Sequence, residues 1–166
     1  MDMTNPAAAR RSGSAARAIV AGGLALGAAD IIFAMSYWYA KAGVPPFRIF
    51  QSVASGLLGR AAFAGGMAST ALGALAHFAI ATAMVAVYYL AARRLAALVQ
   101  RPWRYGAAYG LMLYVVMNYI VVPLSAAPRG KPDPAWELSS VVAHVAWGLL
   151  CAAFARMAVR AGARAE

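Results

Sequence analysis

The sequence predicts an all-α polytopic membrane protein: a bundle of four transmembrane helices with an amphipathic or re-entrant segment on its outer side. Three observations predict it. The first is composition. Of 166 residues, 63% are hydrophobic and only 12% are charged, and mean hydropathy is +0.65. Soluble domains do not have this balance. The second is four apolar runs of about 20 residues, the length that crosses a hydrocarbon core about 30 Å thick. The third is the placement of arginine. Arg10, Arg11, Arg17, Arg93, Arg94, Arg101, Arg104, Arg156, Arg160 and Arg164 all flank apolar runs, the pattern of membrane orientation and anionic-lipid contact.

Residues 1–17 are small, polar and basic, and are expected as a disordered cytoplasmic tail. Residues 18–160 form one membrane domain. Its first span, about 18–38, ends on Tyr37-Trp38-Tyr39, aromatics that suit a headgroup boundary. A cleaved signal peptide is the competing reading, with Ala40-Lys41-Ala42 as its small-residue site. The length of the run and Asp30 within it favour a retained span.

The amphipathic segment follows at 46–58. Phe47, Phe50, Val53/Ala54 and Leu57 fall on one helical face, and Arg48, Gln51/Ser52 and Ser55 on the other. Pro46 suits its start, and Gly56 and Gly59 suit its end. It is too short to span, so it is either interfacial or re-entrant. The second span, about 71–92, is closed by Arg93-Arg94. The third, about 105–124, follows Trp103 and contains Pro123. The fourth, about 139–159, follows Trp136. Residues 161–166 form a short cytoplasmic tail.

Orientation follows from the arginine and lysine of the loops. The tail, the 93–104 loop and the C-terminus hold ten of the 15. The 39–70 and 125–138 segments hold the other five, Lys41, Arg48, Arg60, Arg129 and Lys131. That excess predicts both termini in the cytoplasm. The net charge of +10 is therefore a membrane signature, and with no base-reading module nucleic acid is not an expected partner. The expected partners are membrane lipids, with a homo-oligomer left open. The single cysteine, Cys151, allows no intrachain disulfide and leaves the redox compartment undetermined.

Asp30 lies inside the first span, where a carboxylate costs about 2.5–3.5 kcal/mol on insertion scales and is expected to find a partner, a bundle interior or water. Counting at 1.5 Å per residue puts it about 12 Å below Trp38. The two histidines, His77 and His144, fall about 8–9 Å below the outer ends of spans two and four, and Asn118 lies at a similar depth in span three. Each helix thus offers one strongly polar group at one level. Such groups should turn inward and meet, with Arg48 and Gln51 capping the layer from outside. Gly23-x-x-x-Gly27 shares a face with Asp30, and Gly106-x-x-x-Gly110 opens span three; both are spacings that let backbones approach closely.

The layer admits several functions. An aspartate beside histidines suits a proton, ion or small-solute site. His77 and His144 also suit the axial positions of a b-type haem, or a metal site with Cys151 and Met84 two turns deeper. No cofactor is predicted, and haem or a metal ion is the alternative. A scaffold whose polar layer only specifies assembly is the third reading. An enzyme is not favoured and no catalytic residue is assigned, because no nucleophile elbow, His-Glu-x-x-His pair or phosphate-binding glycine loop is present.

Spans two and four share Ala-His-x-Ala and an arginine 16 residues beyond each histidine. This hints at two helix pairs related by an axis along the membrane normal.

The Gly-x-x-x-Gly-x-x-Asp run ending at Asp30, the segment Phe50 to Gly59, Ala76-His77-Phe78 and the stretch Met117 to Ser125 together resemble a family of bacterial four-helix inner-membrane proteins, the YagU-like proteins. The resemblance covers most of the chain from 23 to 125. It implies a multi-pass protein of the bacterial inner membrane, and it implies no catalytic residue or substrate.

Overall fold

A computed structural model describes residues 6–128, 130 and 132–163. Among them every regular element is helical. Helix α1 runs Pro6–Ala42, α2 Pro46–Leu58, α3 Gly66–Ala92, α4 Ala96–Gln100, α5 Pro102–Val116, α6 Val122–Leu124 and α7 Pro134–Ala163. A 3-10 segment, Gly59–Ala64, joins α2 to α3, and a π-helical turn, Met117–Val121, joins α5 to α6 in one continuous rod. Four stretches are long and apolar enough to cross a membrane: Gly13–Ala42, Gly66–Ala92, Pro102–Leu124 and Pro134–Ala161. The end of the bundle that carries α2 is termed the outer end, and the opposite one the inner end.

The four expected spans are all present, and all begin earlier than hydropathy places them. Helix hydrogen bonding continues where apolar character stops. Residues 6–17, expected as a disordered tail, continue α1 as helix, whereas residues 1–5 lie outside the described residues. At the other terminus α7 extends to Ala163; of the expected tail, 164–166 lie outside them. So do Arg129 and Lys131, two of the five outer cations.

Helix starts follow local chemistry. Pro46 and Pro102 open α2 and α5 at the first turn, where a missing N–H costs nothing. Asp133 opens α7, accepting the Trp136 backbone N–H on Oδ1 at 3.3 Å, a cap that hydropathy does not reveal.

Helix α7 is the centre of the bundle and packs against α1, α3 and α5. Glycines set these approaches. A Cβ at Gly22 would fall 2.7 Å from Phe154 Cβ, and one at Gly23 would fall 2.6 Å from the Thr82 Cα, distances that real side chains do not occupy. A Cβ at Gly110 would overlap the His144 carbonyl, and one at Gly148 the Gly106 carbonyl. Both Gly-x-x-x-Gly pairs are thus helix seams, as their spacing predicts. The inner half holds an apolar core of Leu26, Ala81, Val85, Tyr88, Ala92, Leu113, Cys151, Ala152 and Ala155.

Helix α2 keeps its expected bounds and turns its polar face inward. Gln51, Ala54 and Ser55 are buried, while Phe47, Leu57 and Leu58 are exposed. In water this arrangement is upside down; against lipid it is the favourable one. Helix α2 crosses α3 at Gly73, where any side chain would run into the Phe50 carbonyl. Its far end meets the span-three terminus, as Ala126 N–H donates to the Gly56 carbonyl at 2.9 Å.

Candidate functional site

Asp30 sits one turn beyond the Gly23/Gly27 seam on the same face of α1. The seam holds α1 close to α3, and α3 brings His77. His77 Nε2 is 2.8 Å from the Gly27 carbonyl. A carbonyl only accepts, so Nε2 carries a hydrogen and donates it. The second ring nitrogen, Nδ1, is thereby left as the basic one in the neutral ring. The same Nε2 lies 3.9 Å from Asp30 Oδ2, within ion-pair range and beyond hydrogen-bond range. On the other side of the carboxylate, the Trp147 indole N–H donates to Asp30 Oδ1 at 3.0 Å. Three helices, α1, α3 and α7, thus converge on one carboxylate.

The surroundings are unequal. The His77 side chain is 10% exposed and the Asp30 side chain 35%. His77 is boxed by aromatic edges, with Phe78 at 5.3 Å and Phe50 of α2 at 6.4 Å between ring centroids. The imidazole is therefore enclosed by rings, whereas the carboxylate is only partly covered. A carboxylate–imidazole pair walled by rings on one side and partly exposed on the other has the make-up of a site that exchanges a proton or a cation.

The other members of the expected layer lie elsewhere. His144 turns to its own helix: Nδ1 donates to the Ser140 carbonyl at 2.8 Å, and the ring packs edge-on against Tyr114 of α5 at 5.5 Å. Asn118 is exposed, and its Nδ2–H donates to the Tyr114 carbonyl at 3.0 Å. It sits in the π-helical turn Met117–Val121, and the Tyr114 carbonyl also accepts from the Met117 backbone N–H. Asn118 therefore serves its own helix. Arg48 and Gln51 do not cap the pair either. Arg48 Nη1 donates to the Phe63 carbonyl at 2.7 Å and to Gln51 Oε1 at 3.2 Å, and Gln51 Nε2 donates to the Gly66 carbonyl at 3.2 Å and to Ser69 Oγ at 3.3 Å. The two residues fasten the turn between α2 and α3. The α2 residue that reaches the pair is Phe50. The Ala-His-x-Ala repeat likewise does not extend to geometry, since one histidine bonds across helices and the other along its own.

Two features escaped sequence reasoning. Trp147 reads as one more apolar residue of span four, although a buried indole N–H needs an acceptor and Asp30 is the acid of the spans' interior. The second is the outer clasp. Lys41 bonds Asp133, beside a ring cluster of Phe33, Tyr37, Trp38 and Trp136 whose centroids are 5.0–6.4 Å apart. The hydrogen bond from Lys41 holds the Asp133 carboxyl below its ordinary range. A cavity of about 430 Å³ opens next to it, lined by Asn118, Ser125, Asp133, Trp136 and Glu137 among others. Asn118 therefore faces this outer vestibule.

Cys151 is fully buried in the inner apolar core. Among the described residues, no three His, Cys, Asp or Glu side chains are grouped to hold a metal ion. No family model, curated protein or solved structure matches the chain.

Proposed function

We propose that this is an integral protein of the bacterial inner membrane, with both termini cytoplasmic, whose Asp30–His77 pair passes protons, ions or a small solute between the outer vestibule and the interior. The observation that carries the reading is the 3.9 Å approach of His77 Nε2 to a carboxylate that is one-third exposed within a membrane-length helix. A carboxylate there is expensive unless it is used or fully paired. Here it is neither neutralised by a close ion pair nor sealed. The imidazole can take up a second proton at Nδ1 while Nε2 keeps its bond to Gly27. The arginine distribution and the YagU-like resemblance support the setting.

The test is flux in liposomes. Asp30→Asn keeps the Trp147 bond and removes the charge; it should lower proton or solute flux by about tenfold or more. Alkaline phosphatase fused after residues 62 and 131 should be active, and inactive fusions would overturn the orientation.

One observation favours a scaffold instead. The bonds of Trp147 to Asp30 and of His77 to Gly27 tie α1 to both α7 and α3. If flux is absent in the natural protein and Asp30→Asn lowers only the melting temperature, the pair is a clasp. Haem or metal ligation by His77 and His144 has less support, because the two rings sit against different helices. A Soret band abolished by His77→Ala would put it first.

A further inference from the structure

The inner end holds a second feature, separate from the Asp30–His77 pair. A cavity of about 500 Å³ lies there, lined by Gln100, Arg101, Pro102, Trp103, Arg104 and Arg156. Arg156 rises from α7 between the buried Ala155 and Ala158, and its Nε is buried with no hydrogen-bond partner among the described residues. A buried donor on a cation is costly to leave unsatisfied. The first turn of α5 opens at the same cavity. Its cap residue, Arg101, makes no side-chain cap bond, and no acid lies in that turn. The free N–H groups and positive dipole of the helix start add to the arginine charge. The described acids, Asp30, Asp133 and Glu137, belong to the middle and outer end. Trp103 is 72% exposed beside the arginines, as expected of an indole at headgroup depth.

We propose that this cavity binds a phosphate group, held by the guanidinium groups of Arg156, Arg101 and Arg104 at the start of α5. Guanidinium forks match phosphate oxygens in pairs. The donor set fits either the phosphodiester of an anionic lipid in the adjoining leaflet or a free phosphate from the aqueous side.

Native mass spectrometry of the purified full chain tests the site, with phosphatidylglycerol, phosphatidylcholine and inorganic phosphate as probes. Phosphatidylglycerol should be retained about tenfold better than phosphatidylcholine, and Arg156→Gln should remove about that preference. Arg101→Gln/Arg104→Gln, at exposed positions, should lower retention in the same direction, and carries the test should Arg156→Gln fail to assemble. Arg94→Gln, in the same basic loop but outside the cavity, should leave retention unchanged. Inorganic phosphate distinguishes the sources. A lipid preference untouched by phosphate assigns the site to a headgroup, and a phosphate complex lost in the cavity variants without lipid preference assigns it to a soluble phosphate. Both outcomes support the site. Equal retention of the two lipids with no phosphate complex overturns it, as does an Arg94→Gln loss equal to that of the cavity variants.

Discussion

On one side of α7, Gly22, Gly23 and Gly27 let α1 settle against α3 and α7; on the other, Gly106, Gly110 and Gly148 bring α5 and α7 together. The same device has different consequences. One turn beyond the first seam stands Asp30, so close approach delivers a carboxylate to an imidazole and an indole. One turn beyond the second stands Tyr114, and close approach delivers a ring to His144, which is already bonded to its own helix. A small-residue seam is thus a positioning device whose chemistry is set by the residue that follows it.

Blocking each seam is the most severe test of this parallel. Gly110→Val and Gly23→Val each drive a side chain into facing backbone, and each should destabilise the bundle by about 1–3 kcal/mol or more, read as unfolding in detergent micelles. Comparable losses would show that both seams bear similar weight; a tolerated Gly23→Val would mean that the Asp30 side is the softer one.

Function should separate the sides where stability does not. His77→Phe should lower flux about as far as Asp30→Asn, by tenfold or more, while His144→Phe should leave it within about twofold, because His144 is bonded only along its own helix. Equal losses from the two histidines would reunite the layer that the structure divides. Trp147→Phe removes one bond between α1 and α7 and should cost about 0.6–1.7 kcal/mol. Tyr109→Phe, which removes the 2.8 Å bond to the Met84 carbonyl, should cost a similar amount on the α5 side. The smallest effect belongs to the outer clasp. Because Asp133 is held below its ordinary range by Lys41, its contribution is fully present above the unfolded carboxyl value of about 4 and fades as pH falls through the lower folded value. Acid should therefore loosen the outer ends of α1 and α7 first, seen as faster amide exchange there, and Asp133→Asn should remove that pH dependence.

The fold is legible in the sequence because its signals are local. Apolar run length marks four spans, and Pro46 with Gly59 bounds α2. The meeting of Asp30 with His77 is legible too, since depth counting and the shared face with Gly27 both point to it. The remainder depends on facts a linear pattern does not carry. Depth counting gives the level of Asn118 but not its face, and the π-helical turn Met117–Val121 further shifts the phase of the outer part of the rod. Arg48 and Gln51 pattern as caps, yet each donates to a backbone carbonyl of the 59–66 turn, Phe63 and Gly66 respectively, which no side-chain pattern reveals. Trp147 is hidden by its own hydrophobicity.

The inverted face of α2 has a mechanical consequence. It adds a short helix at one end of the bundle, with Phe47, Leu57 and Leu58 directed outward, while among the described residues the short helix at the opposite end is the five-residue α4. These outward apolar side chains and the α2–α3 crossing at Gly73 lie on one short helix, so a push on that outer face is passed to α3 through backbone contact, with no side chain at Gly73 to absorb it. Because the Phe50 ring at that crossing also packs edge-on against His77, the seat of α2 and the position of the imidazole are set by the same side chain.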